Sequence, residues 1–257
     1  MKRILLSVAT FAVFLVYYVL IMDIVPSPVS YSSKDVSFPL FCLLCAVPSC
    51  LMLGFTHGRE ALEASGLRRS PSSGFIYALL CVSPMLLFVL LFGEWNRELS
   101  AWYLINTTLV AGFFEEFFFR GILLGQLYRY ARWGFVPAIL VASVIFGLGH
   151  IYQGHDLLSS LLAGLVTGLG GLLFGWVYVE TGYNLWCGIF LHALMNLSWI
   201  AFSLADNAAT ASWGLNIARL LTVALAIALV ILYKKKKGIP YQITKETLWR
   251  NPSVTGN

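Results

Sequence analysis

Apolar runs of about 18 or more residues recur along this 257-residue chain, and no other feature limits its fold as strongly. A helix needs about 20 such residues to cross the hydrocarbon core of a bilayer. The chain therefore reads as all-α, a polytopic membrane helical bundle of about eight transmembrane helices. Charge agrees: 11% of the residues are charged, against roughly 25% in soluble domains.

Taken in order, Lys2 and Arg3 precede a first apolar span that ends near Asp23. VPSPVS follows it instead of a small-residue cleavage site, so the span is expected to be retained as a membrane helix. A polar loop is expected over 23–38. Further spans are expected at roughly 39–56, 75–93 and 102–127, then one ending in VIFGLGH, one over 157–179, one carrying His192 and Asn196, and one over 213–233. RYARWGFVP, with Gly134 and Pro137, should break the helix after Tyr128. Residues 1–235 are expected to form a single transmembrane domain, with the catalytic helices within about 100–200. Residues 236–257 read as a short, poorly ordered cytoplasmic tail.

Basic residues orient such a bundle. With the N-terminus inside, Arg59, Arg68, Arg69, Arg129, Arg132 and Lys234 to Lys237 all fall on the inner side, and only Lys34 and Arg97 fall outside. Both termini are thus predicted to be cytoplasmic, in a plasma or inner membrane. The net charge of +5 is explained by these flanking anchors, so the bilayer is the expected partner and nucleic acid is not. Oligomeric state is not legible. The Cys42/Cys45 pair has redox-motif spacing, but its setting, FCLLCAVPSC, reads as small buried hydrophobes. Gly164, Gly168, Gly171 and Gly175 have the spacing of a close helix-packing seam.

Within the fourth apolar run stands FFEEFFFR, with Glu115, Glu116 and Arg120. One charge at the centre of a membrane helix costs about 2.5–3.5 kcal/mol, so these three must face protein or water. Glu116 and Arg120 are i and i+4, on one face, while Glu115 points away from that line. One carboxylate is then neutralised by the arginine, and the other stays free for chemistry. Phe146 and His150 lie one turn apart at the end of the fifth span, and His192 and Asn196 one turn apart in the seventh. Ionisable and polar groups on three apolar helices form the pattern of a buried functional site. The alternative is a hydrogen-bonded network that only fixes helix register.

The ordered set Glu-Glu-x-x-x-Arg, Phe-x-x-x-His and His-x-x-x-Asn resembles the CAAX protease and bacteriocin-processing family of intramembrane endopeptidases, also called the Abi family. The resemblance covers about residues 100–200. It implies hydrolysis of a peptide bond in a membrane-anchored or lipidated protein or peptide. Carried over by position, Glu115 and His150 would activate a water, and His192 and Asn196 would stabilise the oxyanion. Glu116, Arg120 and Phe146 would position them. The chemistry is apt, because desolvation makes a carboxylate a stronger base and two donors one turn apart can converge on one oxygen.

No cofactor is predicted. Zinc is the alternative, with Glu115, His150 and His192 as a His2Glu set; Asn196 beside His192 reads better as half of a donor pair. No His-Glu-x-x-His is present, Asp156 stands alone beside a loop, and Ser143 and Ser198 sit in no nucleophile motif. Two other classes stay open: a proton-coupled transporter and a non-catalytic peptide-binding or immunity protein.

Overall fold

The computed structural model describes residues 2–16, 37–202 and 212–252. In these, α1 spans Lys2–Leu15, α2 Ser37–His57, α3 Ala61–Ser65 and α4 Pro71–Phe92. One continuous helix, α5, follows over 101–130, then α6 Phe135–Leu148, α7 Leu157–Glu180, α8 Leu185–Ile200 and α9 Trp213–Lys237. The protein is an all-α, multi-pass integral membrane protein. Five helical segments among the described residues are long and apolar enough to cross a membrane: Ser37–Ser65, Pro71–Phe92, Phe135–Gln153, Leu157–Glu180 and Trp213–Lys237. Of the remaining expected spans, the seventh is the shorter apolar helix α8. The fourth is α5, whose charges set it apart. The first is described only as far as α1, and the rest of it, together with the 23–36 part of the expected loop and Lys34, lies outside the described residues.

The centre of the bundle is α5. Every residue from Phe117 to Tyr128 is buried, so this half has no solvent or lipid face. Packed around α5 are α1, α6 and α8, while α4 joins α8 to α9 and α7 lies along α6. Where α6 meets α7 the seam is built of small residues. A Cβ on Gly147 would lie 2.5 Å from the Gly164 carbonyl oxygen, and one on Gly175 would lie 2.1 Å from the Ile139 side chain. This is the close packing that the glycine spacing predicts. Leu158, Leu161, Leu165 and Leu169 form an exposed row along α7, which suits contact with lipid tails.

Helix ends follow local chemistry. Ser70, Ser100, Asn184 and Ser212 cap α4, α5, α8 and α9 through side-chain oxygens. Asp156 begins α7 with a capping box, and the Ser159 backbone N–H and hydroxyl hold its carboxyl below the usual range. The break after α5 comes where expected, at 131–134, with Arg132 in the left-handed region at φ 64°. Among the cysteines Cys42, Cys45, Cys81 and Cys187 are buried and free, as the apolar setting predicts for the first pair, while Cys50 is exposed.

The tail differs from its expectation. Residues 238–252 are packed against the bundle. Glu180, at the end of α7, accepts hydrogen bonds from Lys234 Nζ and from the backbone N–H groups of Gln242 (3.1 Å) and Ile243 (2.9 Å). Further on, the carbonyls of Thr247 and Leu248 each accept from the first turn of α6, at Phe135 and Val136, both at 2.9 Å. A polar stretch resembles a loose extension in composition, but partners far away in sequence hold it: the Glu180 carboxylate, Tyr128 and the first turn of α6.

Candidate active site

Local irregularity in α5 prepares the site. Asn106–Val110 and Phe117–Tyr130 are wound as π-helix around an α-helical turn, Ala111–Glu116. π-Turns displace carbonyls from the regular ladder and recur at functional sites. Here the Thr107 carbonyl accepts a 2.8 Å hydrogen bond from Asn196 Nδ2 on α8. This pins the two helices together beside the carboxylates.

Glu116 and Arg120 pair as the i, i+4 spacing predicts, with Nη1 2.9 Å from Oε1 and both side chains at most 2% exposed. The pair is not a bidentate fork, since only one guanidinium nitrogen approaches. Its guanidinium is instead placed over the rings of Phe146 (4.6 Å) and Phe174 (5.2 Å), a cation–π arrangement that is strongest when desolvated. The same Glu116 oxygen lies 3.0 Å from His192 Nδ1. One buried carboxylate thus carries both the arginine and a histidine. Gly188 makes room for it: a Cβ there would stand 2.7 Å from Glu116 Oε2.

Glu115 lies off the line of Glu116 and Arg120, as expected, and approaches the other nitrogen of His192. Its Oε2 lies 3.8 Å from His150 Nε2 and 3.8 Å from His192 Nε2. His150 reaches it because the ring is turned by a 2.7 Å bond from Nδ1 to the Phe146 carbonyl and packs on the Phe146 ring. With Nδ1 as the donor, its Nε2 is an acceptor. The three separated motifs therefore converge on one small space. That space lies in the wall of a cavity of about 670 Å3, lined also by Asn196, Tyr103, Trp199 and Arg219, within the usual range for a bound ligand.

Two groups in this region escaped the sequence reading, and a third, Arg219, stood out in the last apolar run without being joined to the site. Phe174 covers Arg120 and packs on His192 at 5.5 Å, but one more phenylalanine in a membrane helix gives no signal. The Thr107 carbonyl is backbone, and side-chain patterns do not report it. Arg219, an intramembrane cation without an assigned partner in the sequence, lines the cavity and donates to Asn216 Oδ1. Its placement inside an apolar run was the available signal. Two of the residues set aside take structural parts: Asp156 caps α7, and Ser198 donates to the Leu194 carbonyl. Among the described residues, no group of three or more His, Cys, Asp or Glu side chains is arranged to hold a metal ion.

The stretch that carries all three motifs can be compared with known proteins. Residues 97–198 match the family model described as type II CAAX prenyl endopeptidase, Rce1-like. The chain is also similar to curated relatives. One is named membrane peptidase YdiL, from Bacillus subtilis, 34% identical over 93 residues, which are 36% of this chain and 34% of the relative. Another is CAAX prenyl protease 2 of Saccharomyces cerevisiae, 32% identical over 118 residues, covering 40% and 37% of the two chains. The chain thus spans about a third of the length of these relatives.

Proposed function

We propose that the protein is an intramembrane endopeptidase that hydrolyses a peptide bond of a membrane-anchored or lipidated protein or peptide. The observation that carries this reading is the meeting of Glu115, His150 and His192 at 3.8 Å separations in the wall of the cavity. Such gaps are too long for direct hydrogen bonds and suit groups that share a water. The Rce1-like match and the relatives' names add support.

In this mechanism Glu115, with the unprotonated Nε2 of His150 beside it, takes a proton from water as its oxygen attacks the scissile carbonyl carbon. The carbonyl oxygen becomes an oxyanion, which His192 and Asn196 stabilise. Asn196 spends one N–H on the Thr107 carbonyl, and its amide nitrogen has a second to give. His192 donates through Nε2 in its doubly protonated form, with Nδ1 bonded to the Glu116 carboxylate. As the C–N bond breaks, the proton held by Glu115 passes to the leaving amine. Water supplies OH to the new carboxyl and H to the new amine.

We further propose that no metal takes part. Asn196, one turn from His192, is a poor zinc ligand but a good amide donor, so the two read as a donor pair.

The test is to compare membrane-peptide profiles of cells making the wild type and Glu115→Gln. Products that vanish in the variant while their uncut precursors accumulate are expected. Identical profiles would remove the endopeptidase reading, and a pH-dependent flux lost in the same variant would point to a proton-coupled transporter.

A further inference from the structure

The bundle has two chemically distinct ends. At one, the start of α1 meets the break after α5, since Trp133 Nε1 donates to Ser7 Oγ. The α2–α4 connection meets the end of α5 through Arg129 and Glu63, and it meets the start of α8 through Asn184 Nδ2 and the Ser70 carbonyl. The tail joins there through Lys234 and Glu180. At the other end, the backbone N–H of Asn96 donates to the Ala201 carbonyl, Trp95 packs on Phe202, and Gly214 at the start of α9 lies against Phe88. The first end carries Arg59, Arg68, Arg69, Arg129, Arg132 and the Lys234–Lys237 run. In the connections of the second end, 93–100 and 151–156, the only Lys or Arg is Arg97, beside Glu94, Glu98 and Asp156. Connections crowded with Lys and Arg stay on the cytoplasmic side.

Helix directions then place the cavity along the membrane normal. Both α6 and α8 run away from the basic end. His150 lies beyond the last residue of α6, Leu148, and Asn196 lies one turn farther out than His192. Four helices run towards the basic end and line the cavity: α2 through Phe38, α5 through Tyr103 and Thr107 and α9 through Arg219 from their outer parts, and α7 through Val166 to Phe174 from its middle. Tyr152, Gln153 and His155, in the outer connection, complete the lining. No lining residue comes from 58–70, 128–134, 180–187 or 234–252, the segments that make up the basic end. Glu115, halfway along α5, is at the floor.

We infer that the cavity opens on the non-cytoplasmic face. Resting on the endopeptidase reading, this assigns as substrate class the outer half of a span, or the adjoining exoplasmic segment, of an exported membrane-anchored protein or peptide. A cytoplasmic chain end would meet the closed, basic side and would have to cross half of the bilayer to reach Glu115.

Sidedness is measurable without turnover. Single cysteines at Arg97, His155 and Arg68, in a chain whose five native cysteines are replaced by alanine, are treated with a membrane-impermeant maleimide. Arg97→Cys and His155→Cys should label at least 10-fold faster than Arg68→Cys in intact cells, and Arg68→Cys should reach the same rate once cells are permeabilised. A green fluorescent protein fused after Asn257, on the otherwise unaltered chain, should fluoresce, and this arm holds where the cysteine-free background fails to fold. Labelling of Arg68→Cys in intact cells with protection of His155→Cys, or a dark but full-length fusion, overturns the inference.

The substrate class is read from the membrane-peptide comparison of wild type and Glu115→Gln. Cut sites that depend on Glu115 should map to outer halves of spans and exoplasmic segments, and sites confined to cytoplasmic segments overturn the assignment. If no cut site depends on Glu115, the endopeptidase reading and the substrate class fall together, while labelling still decides which face the cavity opens on.

Discussion

Each ionisable side chain at the floor of the cavity has a separate part, and single substitutions should separate them. Glu115→Gln keeps the shape of the side chain but loses the base, and His150→Ala loses the nitrogen beside it. Each is expected to lower peptide cleavage by at least about 100-fold, the low end of what a positioned acid–base group contributes, with a detergent melting temperature close to that of the wild type. A variant that cleaves at near wild-type rate would show that the water is activated elsewhere. Arg120 belongs to a different class, because it acts on the reacting groups through Glu116 and His192. Arg120→Ala leaves the Glu116 carboxylate buried without its cation, and breaking a buried pair in this way costs about 3–5 kcal/mol. Arg120→Lys keeps the charge but loses the flat guanidinium that lies over Phe146 and Phe174. It should therefore melt between Arg120→Ala and the wild type, with cleavage well below wild type. Equal melting of all three proteins would remove the pairing argument. Motif spacing made the pairing of Glu116 with Arg120 and the offset of Glu115 from that face legible, because helical geometry alone sets them. The link from Glu116 to His192 was not legible, since it joins residues 76 positions apart and depends on how α5 and α8 dock.

That docking depends on two glycines at which α5 and α8 approach closely. On α8, Gly188 faces Glu116 Oε2, and on α5 a Cβ at Gly112 would come within 3.1 Å of the Ala193 backbone nitrogen. The glycines of α7 announce themselves by repetition, whereas Gly112 and Gly188 are single residues in the sequence, and only the packed helices show what they admit. Gly188→Ala would place a methyl group 2.7 Å from Glu116 Oε2, in a carboxylate whose other oxygen is already held by Arg120 and His192. Because that carboxylate cannot swing aside cheaply, α8 must shift or the pair must open. Cleavage should fall by at least about 10-fold, and stability by about 1–3 kcal/mol, the usual cost of overpacking. Gly182, which has φ 70° and open space around it, serves as a different kind of control, since an alanine there meets only backbone strain. Activity of Gly188→Ala at the wild-type level would mean that Glu116 is free to move. The π-wound turn of α5 makes a second prediction at this scale. Asn196→Ala removes both the hydrogen bond to the Thr107 carbonyl and the proposed oxyanion donor, and should lower kcat by about 100- to 1000-fold. Exhaustive treatment of the purified wild type with a strong chelator should leave its activity intact. Loss on chelation, restored by zinc alone, would make His192 a metal ligand and overturn the donor-pair assignment.

At the scale of the whole molecule, the tail connects the far end of the chain to the site. Glu180 and Lys234 are both nearly fully buried, at 2% and 4% exposure, and the carboxylate is the anchor onto which the backbone of Gln242 and Ile243 folds. From there the chain passes over Gly134, where an added Cβ would lie within 2.4 Å of the Leu248 and Trp249 backbone, and its carbonyls satisfy N–H groups of the first turn of α6 that have no partner within the helix. The other end of α6 presents Phe146 and His150. Glu180→Gln should therefore do two things at once. It leaves the Lys234 ammonium buried without its counter-charge, lowering stability by about 3–5 kcal/mol, and it loosens residues 238–252, so that limited proteolysis cuts the tail where the wild type resists. The double change Glu180→Gln with Lys234→Met removes the stranded charge and should recover much of the melting temperature, yet the tail should stay open to protease because its anchoring carboxylate is still missing. This separates the two effects: stability follows the charge, and docking follows the acceptor. If the tail of Glu180→Gln remains as protease-resistant as in the wild type, the residues after Lys237 are held by their contacts with α6 and Tyr128 alone, and Glu180 is a buried ion pair with no part in organising the end of the chain.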